Sequence, residues 1–317
     1  MAVSNYSGLT INNPQVGIQI TKVIDSVSSP NDFIDVANNT YFYDIGTSRA
    51  YYKDQYGVIQ NGFTTGFMPQ MTGGETYRGV SFNNNSTTLV TDGGVTTSAS
   101  ASNIAQSVAS TNFATKSIRL RYYASVVQTG RYVGLRGSAL LWYVTSGWKF
   151  VCDFNISDTA FGADCQQFYG MASSTADLGY GTATLIQLST LTNLIGVGNE
   201  AGDTNLQIFY NDATGTCGKV DLGASFPANR TAGAISTTIY SVTLYNPPAS
   251  EVVWYEVINR ETGAIARGII GGLYIGGFNA LPSSTTGLNF FASRAMNAAL
   301  TNTGQFDLYK LGVYSAI

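Results

Sequence analysis

The sequence predicts an all-β protein organised around a two-layer sandwich of jelly-roll type. Three observations carry that expectation. Only 11% of the residues are charged, while the chain holds 20 Tyr, 16 Phe and 35 Gly, a mixture that suits strands and tight turns better than helices. Apolar residues recur at every second position, the period of a strand with one buried face. Clusters of Gly, Asn, Asp, Ser and Thr interrupt these runs at short intervals, as they do in sandwiches and barrels.

With 317 residues the chain is long enough to bury a core without disulfides or metals as staples. Its net charge of −3 and pI near 4.9 argue against a nucleic-acid partner, which demands clustered Lys and Arg. Lys116, Arg119, Arg121, Arg131 and Arg136 are spread along alternating strands and read as solvated faces. Cys152, Cys165 and Cys217 have no metal-binding spacing and read as reduced, partly buried thiols of a protein folded in a cytosol. No apolar run approaches the roughly 18 residues of a membrane span, and MAVSNYSGLT lacks the basic and apolar regions of a signal peptide. The expectation is no membrane insertion, with exit from the cell by lysis or inside an assembled particle.

Three segments follow in order. Residues 1–61 form a small β-rich unit. Val16, Ile18 and Ile20 alternate, and Tyr41 to Asp44 and Arg49 to Lys53 form two strands around Gly46. A unit this small and poor in aliphatic mass is marginal alone, which points to packing on copies of itself or on a partner. Residues 62–115, with Gly73-Gly74, Asn83-Asn84-Asn85 and VTTSASASNIAQSVAS, read as a Gly/Ser/Thr/Asn-rich connector with short strands. Residues 116–317 form the sandwich. Leu120, Tyr122 and Ala124 share one face of a strand against Arg119, Arg121 and Tyr123. Leu140 to Thr145 is expected to pair with Lys149 to Asn155. Leu206, Ile208 and Tyr210 face inward, and Asn211 to Gly215 turns the chain back through Lys219 to Leu222. Asn246-Pro247-Pro248 stops a strand, Arg260 to Gly263 closes a hairpin between Val252–Asn259 and Ala264–Gly268, and QFDLYKLGVY ends the fold.

The chain has no histidine, which removes Ser-His-Asp and Cys-His catalysis and most zinc sites. A glycan hydrolase would then need two converging carboxylates, drawn from Asp153, Asp158, Asp164, Asp203, Asp212, Asp221, Glu251 and Glu256; none is assigned as catalytic. Sugar binding needs an exposed aromatic plate beside hydroxyl-pairing groups. The candidates are Trp148, which follows Gly147 at a turn, Trp142 and Tyr180, with Trp254 assigned to packing. Asn199, Glu200, Asp203 and Asn205 offer side-chain oxygens within seven positions, a candidate calcium site. GIIGGLYIGGF, residues 268–278, lacks the Lys and strand-to-helix context of a phosphate loop and reads as bends and close backbone approach.

The runs IRLRYYAS, QQFYGM, IGVGNEAGDTNLQIFYNDATGTCGKVDLGASFP, YSVTLYNPPASEVVWYEVINRETG and FDLYKLGVY resemble the distal sandwich of bacteriophage virion appendages, chiefly tail fibres, with a concanavalin- or laminin-G-like jelly roll. NNTYFYDIGTSRAYYKDQYGVIQ is similar to β segments near the starts of phage structural proteins. The resemblance implies a homo-oligomer, a trimer by preference, located in the virion. The 1–61 segment would attach to other virion proteins and the jelly roll would bind a host cell-surface glycan or protein. With no histidine and no assigned carboxylate pair, the expected role is non-enzymatic. The alternatives are a capsid-decorating head fibre, a polysaccharide-degrading tail spike and a bacterial lectin or adhesin. Laminin-G-like sandwiches also carry calcium at loops such as 199–205.

Overall fold

The computed structural model describes residues 22–24, 36–44, 49–53, 59–61, 76–82, 89–91, 95–97, 101–106, 108–124, 132–158, 165–178, 186–229, 238–296 and 304–315. Regular structure among them is all strand apart from two short 3-10 turns, at Ala114–Lys116 and Leu188–Thr190. The chain divides into two compact units, Met1–Thr72 and Gly73–Ile317.

In the first unit β1 (Lys22–Ile24), β2 (Thr40–Asp44), β3 (Arg49–Lys53) and β4 (Ile59–Asn61) form one sheet in that order. The β2–β3 pair follows the predicted strands, and Phe42 faces Tyr51 across it, buried, with ring centroids 5.5 Å apart. The alternation at Val16, Ile18 and Ile20 lies outside the described residues.

The second unit is a sandwich of two antiparallel sheets. One runs β15 (Gly218–Asp221), β14 (Gln207–Asn211), β13 (Leu194–Asn199), β12 (Cys165–Ala172), β19 (Asn289–Met296), β10 (Tyr132–Gly137) and β7 (Val95–Thr97). The other runs β18 (Ile265–Gly271), β17 (Val252–Asn259), β16 (Tyr240–Asn246), β11 (Trp148–Ile156) and β20 (Gln305–Ser315). Beyond β20 two hairpins share its length: β5 (Thr76–Phe82) with β6 (Leu89–Thr91), and β9 (Arg119–Ala124) with β8 (Ala101–Gln106). Successive strands such as β10, β11 and β12 alternate between the layers, the crossing pattern of a jelly roll.

The stretch 62–115, read from sequence as a connector, thus supplies β5 to β8 to both sheets, and the compact unit begins at Gly73. β7 extends the other sheet beside β10; for β5, β6 and β8 the reason is the edge of β20. Its 11 residues would otherwise present a row of unpaired backbone groups, and the two hairpins cover them. Leu140 to Thr145 forms no strand: β11 pairs with β16 and β20, and only Trp142 bridges, to Leu288. With both edges of β11 taken, residues 138–147 are left as a loop.

The two-residue period fills the space between the layers. β11 contributes Trp148, Phe150, Cys152, Phe154 and Ile156, and β17 contributes Val253, Tyr255 and Val257. The opposing sheet contributes Tyr169, Met171, Ile195, Val197 and Ile208. Phe154 stacks on Tyr169 from the other layer with centroids 3.6 Å apart, and Phe306 meets Tyr169 edge-on at 5.7 Å; such ring pairs each add about 1 kcal/mol beyond the area they bury. Leu206 and Ile208 face this core, with Tyr210 packed against it, as the alternation predicted. Phe209 turns to the opposite face and joins Phe168, Leu194 and Phe291 in a second cluster.

Antiparallel register sorts the connections to two ends. Loops 138–147, 212–217, 247–251 and 272–288 meet the strand ends at Trp148, Asn211, Asn246, Gly271 and Asn289, all at one end. Loops 200–206 and 260–264 lie at the other. That second end is fastened by the fully buried pair of Arg294 and Asp158, whose Oδ1 also accepts from the Gln305 backbone N–H at 2.8 Å. Burial alone would lower the Arg294 pKa; the Asp158 carboxylate beside it reverses the effect and raises it.

Close approach of β12 and β13 needs glycine at Gly196, where a Cβ would lie 2.5 Å from the Phe168 ring and 2.8 Å from the Tyr169 carbonyl oxygen. Gly196→Ala is expected to lose about 2–3 kcal/mol in urea unfolding. Gly202→Ala, at φ +90° with nothing within 4 Å, should lose about 1 kcal/mol from backbone strain alone. Equal losses would show that the strand pair is not tightly packed.

Candidate functional site

The four loops at the first end enclose an open cavity of about 310 Å³, within the size range of small-ligand sites. Asp212 comes from the β14–β15 turn, Glu251 from the β16–β17 loop, and Phe278, Asn279, Ser283 and Ser284 from the β18–β19 loop. Val144, Leu281 and Pro282 form its buried apolar part. Phe278 is 66% exposed, the most exposed of the large hydrophobic side chains among the described residues.

Each wall is positioned by hydrogen bonds traceable to the sequence. Asp212 Oδ1 accepts from the Thr214 N–H at 2.7 Å and its hydroxyl at 3.0 Å, the Asx-turn chemistry expected of Asn211 to Gly215. Its other oxygen has no donor among the described residues. Buried Asn246 ties two loops together: its Oδ1 accepts from Thr145 N–H at 2.8 Å, and its Nδ2 donates to the carbonyls of Ser250 and Val252 at 2.8 and 2.9 Å. The third wall depends on Gly271, Gly272, Gly276 and Gly277, all at positive φ. At Gly276 a Cβ would lie 2.5 Å from the Tyr210 ring, so glycine lets the loop press against β14. Ala280 and Leu281 then return to the core and anchor it.

The aromatic residues singled out from sequence are placed elsewhere. Trp148 is 0% exposed, with Nε1 donating to the Tyr143 carbonyl at 3.1 Å. It opens β11 with its ring on the core face, so the preceding turn does not expose it. Trp142 is buried against Phe290, with Nε1 donating to Ser315 Oγ at 2.7 Å. Both act as internal brackets for loop 138–147 and offer no stacking surface. Trp254 is buried as expected, and Tyr180 lies outside the described residues.

The candidate calcium oxygens serve other partners. Asn199 Oδ1 accepts from Gln167 Nε2 at 2.6 Å, and Asn205 Nδ2 donates to Asp221. Asp203 Oδ2 caps the Glu200 N–H at 2.8 Å. Glu200 pairs with Lys219, which also lies 3.8 Å from Asp203. The Lys219 ammonium supplies the positive charge that a cation would have supplied there, and no group of three metal-binding side chains exists among the described residues. Burial alone would raise the Glu200 pKa, but hydrogen bonds from Lys219 and Ser189 outweigh it and hold the carboxyl below its usual value. Nearby, burial pushes the Cys217 thiol up to about 12, which keeps it protonated; Cys152, Cys165 and Cys217 are all buried thiols outside any disulfide.

Of the eight carboxylates weighed from sequence, Asp164 lies outside the described residues. Asp158, Asp203 and Glu256 are in ion pairs, Asp221 bonds Asn205, and Asp153 faces Lys310 across β11 and β20. Asp212 and Glu251 alone among the described ones line the cavity. Phe278 and Asn279 were not foreseen; GIIGGLYIGGF signalled bends, and a large ring placed between two glycine pairs and a polar run was the available clue.

No protein-family model matches the sequence, and no curated protein matches it. Among solved structures, similarity extends to a protein of unknown function from Shewanella oneidensis MR-1 (TM-score 0.46, 10% identity, 78% of this chain and 90% of that one). It extends also to the CBM2 module of the evolved Dit of Lactobacillus casei BL23 phage J-1 (0.41, 9%, 77% and 98%) and to peanut lectin (0.39, 12%, 77% and 98%). At these scores the likenesses carry no weight about ligand or partner, and the sandwich assignment rests on the strand register above.

Glu200 has a depressed folded-state pKa, so its contribution is fully present above the unfolded-state value of about 4.3 and is lost as pH falls through the lower folded value. Lys219→Met is therefore expected to cost no more than about 1 kcal/mol at neutral pH, and less below that window. Urea midpoints measured across the acid range check this; a cost that persists unchanged under strong acid would contradict the pairing.

Proposed function

We propose that the second unit is a glycan-binding module acting through the cavity bounded by Asp212, Glu251, Phe278 and Asn279. The carrying observation is the 66% exposed Phe278 ring beside carboxylate, amide and hydroxyl groups on independently anchored loops. A sugar ring presents an apolar face for the aromatic plate and vicinal hydroxyls for the acceptors and donors around it. The walls are held by backbone and buried-side-chain hydrogen bonds before any ligand arrives, which limits the ordering cost of binding.

The module acts by binding and not by turnover in this reading. It forms part of a bacteriophage appendage, with the first unit as the particle-facing attachment segment and a host envelope glycan as target. The support is the resemblance of the runs in β9, β12 to β17 and β20 to phage virion sandwiches. Homo-oligomerisation belongs to the same reading, supported by the meagre aliphatic content of the first unit.

On a glycan array the intact protein is expected to retain a defined set of sugars, and Phe278→Ala should weaken them by about tenfold or more, the loss of one stacking ring. Its unfolding midpoint should not change, because the ring is exposed. Binding that survives Phe278→Ala would place the site elsewhere; release of reducing ends from envelope polysaccharide would overturn the non-enzymatic reading.

A further inference from the structure

The charge of the cavity points to its ligand class. The chain holds only 16 Lys and Arg against 19 Asp and Glu, yet carboxylates elsewhere in the second unit are repeatedly matched with cations. Asp158 meets Arg294, Asp177 meets Arg136, Glu200 and Asp203 share Lys219, Glu256 meets Arg267, and Asp307 takes both Arg119 and Arg121. Asp212 and Glu251 differ. Each comes from a different loop, both line one cavity, no Lys or Arg lines it with them, and neither has an ion pair among the described residues. Two unneutralised carboxylates facing one open space set up a negative potential there.

We infer that this cavity selects sugars bearing a free, protonated amine, such as deacetylated hexosamines, and turns away uronic, sialic and phosphorylated glycans. The inference rests on the glycan-binding reading above and gives it a ligand class. The amine would donate charge-assisted hydrogen bonds to the open oxygens of Asp212 and Glu251, while the sugar's apolar face lies on Phe278 and its hydroxyls meet Asn279 and Ser283. An acidic sugar in the same place would bring a third negative charge with no cation to receive it, a cost that makes the cavity discriminate by repulsion as well as attraction.

The test is calorimetric titration of the intact protein, in mildly acidic buffer, with fully deacetylated chito-oligosaccharides, their fully N-acetylated counterparts of equal length, and an oligouronate. The deacetylated series is expected to bind about tenfold or more tightly than the acetylated one, as a single charge-assisted hydrogen bond provides. That gap should shrink as salt rises and close in the Asp212→Asn, Glu251→Gln double variant, with the oligouronate not binding the wild type. Phe278→Ala should weaken both chito-series alike. If acetylated and deacetylated sugars bind equally, or the oligouronate binds as well as either, in a Phe278-dependent manner, the amine preference is overturned while the glycan reading stands. If no sugar on a broad array or in these titrations binds, both fall together.

Discussion

Everything in the second unit depends on one layer of apolar side chains trapped between two antiparallel sheets. The Phe154–Tyr169 stack, with Phe306 and Tyr240 around it, joins the sheets at the centre, and the strands radiating from it must keep register or their inner rows would turn to solvent. That constraint fixes where every connection emerges. The loops at the cavity end are therefore not independent surface features; they are the ends of strands whose spacing the core dictates.

The cavity gains its definition from that rigidity. Asn246 sits at the end of β16 with no exposure and ties loop 138–147 to loop 247–251. The glycine-bent loop after β18 returns to the core through Ala280 and Leu281. Trp142 and Trp148 brace the same end from inside. Towards the far end lies the buried Arg294–Asp158 pair, whose loss on one side would strand a charge in the interior, a change that typically costs about 3–5 kcal/mol. Among the described residues, the far end thus holds its charges in a buried pair, while the cavity end presents an exposed ring and two carboxylates without an ion pair.

Much of this was legible in the sequence, because strand periodicity and turn chemistry are local. The inner row Leu206, Ile208 and Tyr210, the β17–β18 hairpin with Gly263 at positive φ, and the stop at Asn246 followed directly from residue types. What was not legible is what depends on contacts between distant segments. Trp148 follows a turn glycine and looked exposed, yet the face it occupies is decided by β16 and β20. Asn199 to Asn205 looked like an oxygen cage, but Lys219 reaches it from the far strand of a hairpin. The strands β5 to β8 looked too small-sided to order themselves, and they are held by pairing to distant segments, β5 on β20, β7 on β10 and β8 on β9. Asp212 and Glu251 stood among eight equivalent acids until register brought their loops to one end.

The central claim is that this end of the sandwich, and not the other, receives a sugar. Amide hydrogen exchange of the intact protein with and without oligosaccharides released from host envelope tests it most directly, since occupied loops exchange more slowly. Protection should appear in 212–217, 247–251 and 272–284 while 200–206 and 260–264 stay unchanged. Protection confined to 200–206 and 260–264, or none at saturating sugar, would contradict it.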